Sequence, residues 1–293
     1  MNCDEYYFNN NVKENPVKKY NSIFILILLS GFVFAQNDIT LEKNNIFGNV
    51  RKISIFQTDY EDVFGEIQEK KNELIVEIQF NIEGLCTVHD NGQAETVYKY
   101  DGNNMLVEKT VDLKDKKFSY LGKRYLYKYN TENMYEIDIY DLDSNLLNKE
   151  IVNSEDKRQT IVLRYDNTGK QTEKKTISFD DRGNQIRNET IDKSGTVTFL
   201  AQYEYDLNDN CIKTVIDSKH GLSYSVEDEY NEKNFLKKRR QKSSIGEDRV
   251  YMYDYKYDSD GNWMEKNTYI IETEFGEVRK VLESKQSRII EYY

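Results

Sequence analysis

The sequence predicts an all-β protein built as an antiparallel meander of repeated hairpins. Three observations lead to this fold class. A five-residue pattern recurs along the chain: an aromatic residue, Asp or Asn, two variable residues, and then Gly, Asn or Asp. The segments that precede these patterns alternate tyrosine with polar residues, as strands with two different faces do. Helical periodicity is nearly absent.

The first element along the chain is an export signal. Two lysines precede an apolar stretch of 13 residues at 23–35, and a cleavage site follows Ala35, as in secretory signal peptides. The stretch is shorter than the roughly 20 residues that span a bilayer as a helix. We therefore expect an N-terminal extension and signal peptide at 1–35 and a repeat-built β domain at 36–293. An uncleaved N-terminal anchor is the alternative.

The composition narrows the class of protein. The net charge is -11, charged residues make up 32% and hydrophobic residues 38%, and the mean hydropathy is -0.82. We therefore expect no polytopic membrane protein, and an acidic chain is a poor partner for the phosphate backbone of nucleic acids. The 24 tyrosines and 13 phenylalanines argue against the disorder that high charge would otherwise favour.

The recurring pattern has the chemistry of hairpin turns. Asp or Asn at its second position accepts hydrogen bonds from the backbone two residues on, and Gly, Asn or Asp at its fifth position tolerates a positive φ. The pattern occurs at 80–84, 100–104, 129–133, 165–169, 179–183, 205–209, 230–234 and 257–261.

The spacing of these turns predicts the size of the sheet. A half-period of about 12–14 residues holds one strand and one turn, so the chain from Gln36 has room for on the order of 16 strands. So many strands exceed what one open twisted sheet usually holds. We expect a curled sheet, an open barrel or a solenoid-like shell. The stretch 62–71 supports at most one helical turn.

The turn pattern resembles the YD repeats of RHS proteins. It is clearest in YKYDSDGNW at 255–263, YEYDLNDN at 203–210 and LRYDNTG at 163–169. Together with FAQ at the cleavage region and GNVRKISI at 48–55, the final YDSDGNW is similar to a group of exported Bacteroidetes proteins of uncharacterised function. The resemblance covers about residue 80 to the end. It implies a spiral β shell with a ligand-binding or encapsulating role, of which we carry over only the repeat architecture.

The sequence offers no catalytic motif. His89 and His220 lie in segments that read as turns, and no nucleophile elbow, glycine-rich phosphate loop or HExxH motif occurs. The segment 141–152 departs from an EF-hand loop at two positions and fits a turn. The basic run at 237–242 fits a solvated strand face. We therefore predict no enzyme, no cofactor and no metal site.

Three residues share one position in the repeat, two residues after the turn. They are Cys86, Cys211 and Trp263. A shared position implies a shared orientation, and we expect all three to face inward. A disulfide between the two cysteines is the alternative.

The candidate ligand-binding residues are Tyr255, Tyr257 and Trp263. Exposed aromatic rings can stack on sugar rings, whereas the alternative is that the tyrosine ladders form the core of the sheet. The leading expectation is an exported, non-enzymatic interaction or structural module of the cell envelope or exterior, periplasmic or extracellular. Its expected partner is a glycan or another envelope protein, with no nucleic acid and no membrane span after signal cleavage. The alternatives are a carbohydrate-binding protein that uses exposed Tyr and Trp, and a hydrolase of envelope glycans with two close carboxylates.

Overall fold

The computed structural model describes residues 46–63, 66–131, 133–219, 221, 223–274 and 277–293. The predicted signal peptide at 1–35 and His220 lie outside these residues and stay predictions. The strands are β1 (Val50–Val63), β2 (Glu66–Glu69), β3 (Glu73–Phe80), β4 (Cys86–Asp90), β5 (Ala94–Tyr100), β6 (Leu106–Leu113), β7 (Lys123–Thr131), β8 (Met134–Asp141), β9 (Leu146–Asp156), β10 (Gln159–Asp166), β11 (Gln171–Phe179), β12 (Gln185–Asp192), β13 (Val197–Tyr205), β14 (Cys211–Ser218), β15 (Tyr224–Tyr230), β16 (Leu236–Ser243), β17 (Asp248–Tyr257), β18 (Trp263–Glu274) and β19 (Glu277–Tyr292).

The strands close into a ring. From β3 to β19 each strand pairs antiparallel with the next, and β1 pairs with β3 along one edge and with β19 along the other. All strands except β2 therefore form a closed barrel of eighteen strands, and β2 extends the far end of β1 as a hairpin. The predicted all-β antiparallel meander is confirmed. Closure is more specific than the curled sheet, open barrel or solenoid-like shell that we expected, and it leaves the ring without a free edge.

The turn chemistry follows the prediction. In the turn after β13, one carboxylate oxygen of Asp206 accepts hydrogen bonds from the backbone N–H groups of Asn208 and Asn210 at 2.8 and 2.9 Å. Asp209 then adopts a φ of 61°, and Asn234 occupies the same position with the same φ. The expected positive φ at the fifth position of the pattern is confirmed in these turns.

Alternation along the strands gives the ring an inner and an outer face. On β13 the side chains of Ala201 and Tyr203 are buried on the inner face, while Glu204 points outward and forms an ion pair with Lys213 of β14 at 2.7 Å. Cross-strand partners lie on the same face of a sheet. The strand register therefore shows which side chains of the remaining strands face inward and which face outward.

Buried residues form three clusters on separate stretches of the inner wall. Partly buried tyrosines pack against all three, so the tyrosine ladders contribute to the core. The first cluster is Tyr135, Ile137, Ile139, Val152 and Val162; the second is Ile46, Val50, Ile53, Phe80 and Cys86; the third is Ala201, Tyr203, Cys211 and Ile216.

The two cysteines face inward, as their shared repeat position predicts. Cys86 and Cys211 are each only 1% exposed, but they belong to different clusters. The Cys86 Sγ donates a hydrogen bond to the Val88 carbonyl at 3.4 Å, and the Cys211 Sγ lies 3.5 Å from the Lys213 carbonyl. Because the two cysteines lie on separate stretches of the wall, the structure does not support the alternative disulfide between them.

Two local expectations differ from the structure. The stretch 62–71 contains no helical turn in its described part; it continues as strand, and the Lys70 N–H donates a hydrogen bond to the Asp59 carbonyl at 2.8 Å. The 3-10 helix instead spans Ser119–Leu121, between β6 and β7. His89 lies within β4 rather than in a turn. Among the described residues, no helix is long and apolar enough to cross a membrane.

Candidate functional site

The three candidate residues come together on the inner wall, near one rim of the ring. Tyr257 pairs with Trp263 across β17 and β18, at a register shift that follows Lys256. The ring centroid of Tyr255 lies 6.1 Å from that of Tyr257 and 6.5 Å from that of Trp263. Phe235, from the neighbouring turn, completes the cluster at 5.3 to 5.5 Å from the two tyrosine rings.

The cluster is only partly accessible. Tyr255 and Tyr257 are half-buried, whereas Trp263 is 6% exposed. The guanidinium carbon of Arg288 lies 3.7 Å from the centroid of the Trp263 ring, a cation–π contact that covers this ring. The aromatic surface that remains for a ligand is therefore provided by the tyrosines.

Basic side chains line the wall beside these rings. Lys266 pairs with Tyr255, and its ammonium lies 5.6 Å from the centroid of Tyr253 and 6.0 Å from that of Trp263. Arg288 of β19 and Arg239 of β16 belong to the same inner wall, and each of the three cations is at most 8% exposed. We refer to Arg239, Lys266 and Arg288 as the basic cluster.

The electrostatics of the basic cluster are set by burial and by mutual repulsion. Burial, together with the positive charges of Arg239 and Arg288, lowers the pKa of Lys266 to about 7. Arg239 is held by a two-pronged ion pair to Asp228 of β15, with N–O distances of 2.8 and 2.7 Å. Asp228 therefore offsets the charge of Arg239.

A carboxylate with a perturbed pKa lies on the same wall. Burial raises the pKa of Glu283, the cation Arg249 opposes this effect, and the nearby Asp59 adds to it. Asp59 accepts a hydrogen bond from Gln57 at 2.6 Å. Two carboxyl groups, one with a raised pKa, are the minimum that acid–base hydrolysis of a glycoside requires.

The rim beside the aromatic cluster carries a shallow pocket of about 360 Å³. Its lining residues are Tyr230, Asn231, Glu232, Lys233, Lys237 and Tyr257. The Lys233 ammonium lies 4.0 Å from the centroid of the Tyr257 ring, and the Asn231 side chain donates a hydrogen bond to the Tyr257 hydroxyl at 3.1 Å. This pocket opens to solvent, so Tyr257 links the rim to the inner wall.

The other candidates from the sequence have structural roles. No group of three His, Cys, Asp or Glu side chains suited to a metal ion occurs within the described ranges. One carboxylate oxygen of Asp258 accepts hydrogen bonds from the backbone N–H groups of Asp260 and Asn262, which is the chemistry of a turn. Burial lowers the pKa of His89 to about 4, so this imidazole is neutral at physiological pH.

Sequence reasoning missed the basic cluster. Within the basic run at 237–242, Arg239 is buried on the inner face, while its neighbours Lys238 and Arg240 face outward. Strand alternation alone could have separated Arg239 from its neighbours. The convergence of Lys266 and Arg288 on it depends on the pairing of four strands, which no local pattern encodes.

Among known proteins, only solved structures show similarity to this chain, and the similarity is in fold at low sequence identity. No protein-family model and no curated protein matches the chain. A porin-like protein from Bacteroides uniformis is similar at a TM-score of 0.46 and 10% identity, over 83% of this chain and 98% of that chain. A porin-like protein from Bacteroides vulgatus gives 0.36 and 9%, over 83% and 98%. The structure of TcdB2-TccC3 gives 0.35 and 10%, over 81% of this chain and 15% of that chain.

Proposed function

We propose that this protein is an exported, non-enzymatic interaction module of the cell envelope or exterior, built from YD-type repeats, that binds a ligand on its inner wall. The observation that carries the proposal is the meeting of Tyr255, Tyr257 and Trp263 with the basic cluster on one stretch of wall. Aromatic faces beside cationic donors are the groups with which proteins bind sugars and other polar organic ligands.

The charged outer face of the barrel supports a location in water, in the periplasm or outside the cell. Charged side chains pair across neighbouring strands on that face, whereas strands that face lipid present an apolar band. The pairs include Lys99 with Glu108, Lys213 with Glu204, Lys238 with Glu229, and Lys256 with Glu265, all at 2.6 to 2.9 Å. We expect the exported protein to stay in solution without detergent and to remain unbound in a vesicle flotation assay.

A glycan-binding screen tests whether the protein binds a glycan on its inner wall. The protein is purified from the exported fraction and screened against neutral and acidic glycans. We expect Tyr255→Ala and Tyr257→Ala to weaken the binding that the wild type shows by about tenfold or more. Tyr165→Ala is the matched control, because Tyr165 pairs with Lys149 on the outer face. Failure of the wild type to bind any glycan or envelope protein would remove the proposal.

The second candidate function is hydrolysis of envelope glycans. It is favoured by the raised pKa of Glu283 beside Asp59. Incubation of the protein with cell-wall glycans, followed by an assay for new reducing ends, decides between the two functions. An activity that Glu283→Gln abolishes, with the fold retained, would establish the hydrolase and overturn the non-enzymatic proposal.

A further inference from the structure

One hairpin differs from the others of the ring at a β-bulge. Between β15 and β16, Glu229 pairs with Lys238 and Tyr230 pairs with Leu236, so Lys237 is an extra residue in the ladder. The bulge recurs at the second residue of other strands, where that residue is apolar or threonine. These residues are Thr87, Val107, Leu147, Thr172, Ile186, Thr198, Ile212 and Met264. Among the described hairpins with this bulge, only Lys237 is charged.

The exceptional lysine lies at the pocket on the rim. Bulges alter the direction of a side chain and are frequent beside binding sites. Lys237 is exposed and lines the pocket of about 360 Å³ together with Lys233, the fourth residue of the turn pattern at 230–234. This volume lies in the range of pockets that bind small molecules. The repeat therefore departs from its own pattern at a place where the surface has room for a ligand.

The walls of this pocket are held in place by contacts within the protein. The Asn231 side chain accepts a hydrogen bond from the Lys233 backbone N–H at 2.9 Å, and the Tyr230 hydroxyl donates one to the Cys211 carbonyl at 3.0 Å. The cation–π contact of 4.0 Å with Tyr257 positions the Lys233 ammonium. A pocket ordered in this way loses less conformational entropy when a ligand binds.

The lining of the pocket combines three kinds of group. Lys233 and Lys237 provide two ammonium groups, Glu232 provides an exposed carboxylate, and two tyrosines provide ring surface. A small inorganic anion would meet the lysines but also the negative charge of Glu232. A neutral sugar would use the carboxylate and the rings and leave the lysines without a role. A sugar that carries an acidic group uses all three kinds of group.

We propose that the rim pocket binds an anionic sugar, a glycan unit that carries a carboxylate, a phosphate or a sulfate. Lys233 and Lys237 bind the acidic group, and Glu232 accepts hydrogen bonds from hydroxyl groups of the sugar ring. This inference rests on the proposed function, because Tyr257 belongs both to the pocket and to the aromatic cluster. It adds the class of glycan and the residues that select it.

Calorimetric titration of the exported protein tests the class of ligand. The probes are sodium glucuronate, glucose 6-phosphate and glucose 6-sulfate at constant ionic strength, with glucose and sodium phosphate as references. We expect saturable binding of at least one anionic sugar, about fivefold or more tighter than that of either reference. The bound sugar should also protect Lys233 and Lys237 from acetylation by a succinimidyl ester, mapped by mass spectrometry. Lys193, exposed in a turn of the opposite rim, should react equally with and without the sugar.

The other repeats of the chain supply variants that suit the fold. Lys237→Thr introduces the residue that β4 has at its bulge, and Lys233→Asn introduces the residue at the fourth position of the pattern at 205–209. Each is expected to weaken binding of the anionic sugar by about fivefold or more, while Lys237→Arg retains it. Lys193→Thr is the matched control and should bind as the wild type does. If a variant does not fold, protection of the two lysines in the wild type still decides.

Three results would overturn the inference. The first is a wild type that binds no anionic sugar, or binds glucose or phosphate equally well. The second is a smaller loss of affinity than expected in either Lys233→Asn or Lys237→Thr, and the third is acetylation of both lysines that the sugar leaves unchanged. Glycans whose binding depends on Tyr255 but not on the two lysines would leave the proposed function standing and remove this inference alone. If neither glycans nor envelope proteins bind, both fail.

Discussion

The hydroxyl of Tyr205 donates a hydrogen bond of 2.9 Å to the backbone carbonyl of Gln185, twenty residues earlier. The residue before the turn thus connects its own hairpin to the preceding one. The same relationship recurs around this rim, in Tyr100 to Cys86, Tyr129 to Leu106 and Tyr230 to Cys211. Tyr293, which follows β19, donates a similar hydrogen bond to the Phe80 carbonyl across the closure of the barrel. The tyrosine of the pattern is therefore a connection between repeats as well as a core residue.

Removal of one such tyrosine hydroxyl should lower the stability of the barrel measurably. We expect Tyr205→Phe to lower the free energy of unfolding by about 1 kcal/mol, because the ring is retained and one partly buried hydrogen bond is lost. Tyr165→Phe, at a turn of the opposite rim where the ring faces outward, should cost less than about 0.5 kcal/mol. Urea unfolding of both variants measures the difference, and equal losses would contradict the role assigned to Tyr205.

Two adjacent rungs of β15 and β16 provide a matched comparison of buried and exposed ion pairs. Asp228 pairs with Arg239 on the inner face, and Glu229 pairs with Lys238 on the outer face. We expect Asp228→Ala to lower stability by about 3–5 kcal/mol, because it leaves a buried arginine charge. Glu229→Ala should cost about 1 kcal/mol or less. Denaturant midpoints measure both, and a small effect at Asp228 would show that Arg239 gains water or another partner.

Stability should increase with pH above neutrality because of Lys266. The unfolded chain keeps this proton up to the ordinary pKa of 10.5, whereas the folded site releases it above about 7. Between these values the unfolded state binds more protons, so the free energy of unfolding rises with pH, by at most about 1.4 kcal/mol per unit. Lys266→Met should flatten this slope between pH 7 and 9.5. Denaturant titrations across that window test it, and an unchanged slope would contradict the lowered pKa.

His89 should produce a second, separate window. Its folded pKa of about 4 lies below the ordinary value of 6.5, mainly through burial, with Asp90 acting against the shift and Lys109 with it. From pH 4 to 6.5 the unfolded state therefore binds more protons, and stability rises with pH. We expect His89→Gln to reduce that rise. Thermal midpoints at half-unit intervals of pH show the effect; a variant curve parallel to the wild type would place the imidazole in water.

Local chemistry made the turns predictable, and non-local pairing made the site unpredictable. The turn at 206–210 is predictable from its residues. Asp206 accepts hydrogen bonds from backbone N–H groups two and four residues on, and Asp209 tolerates the positive φ. Trp263 is predictable only in part. Its inward orientation follows from its position in the repeat, but its burial depends on Arg288, which lies on another strand. The expectation for a turn such as that of Asp206 was therefore confirmed, whereas the accessibility of a side chain depends on the full strand register.

The closure of the ring has a consequence for when the protein can fold. Ile53 of the first strand pairs with Ile290 of the last, so the final ladder joins positions separated by most of the chain. Contacts of such long sequence separation form slowly, and until they form the two outermost strands expose unpaired backbone groups. The barrel can close only after the last strand has emerged. A chain that passes through an export channel unfolded would reach that state on the far side of the membrane, away from the cytosol.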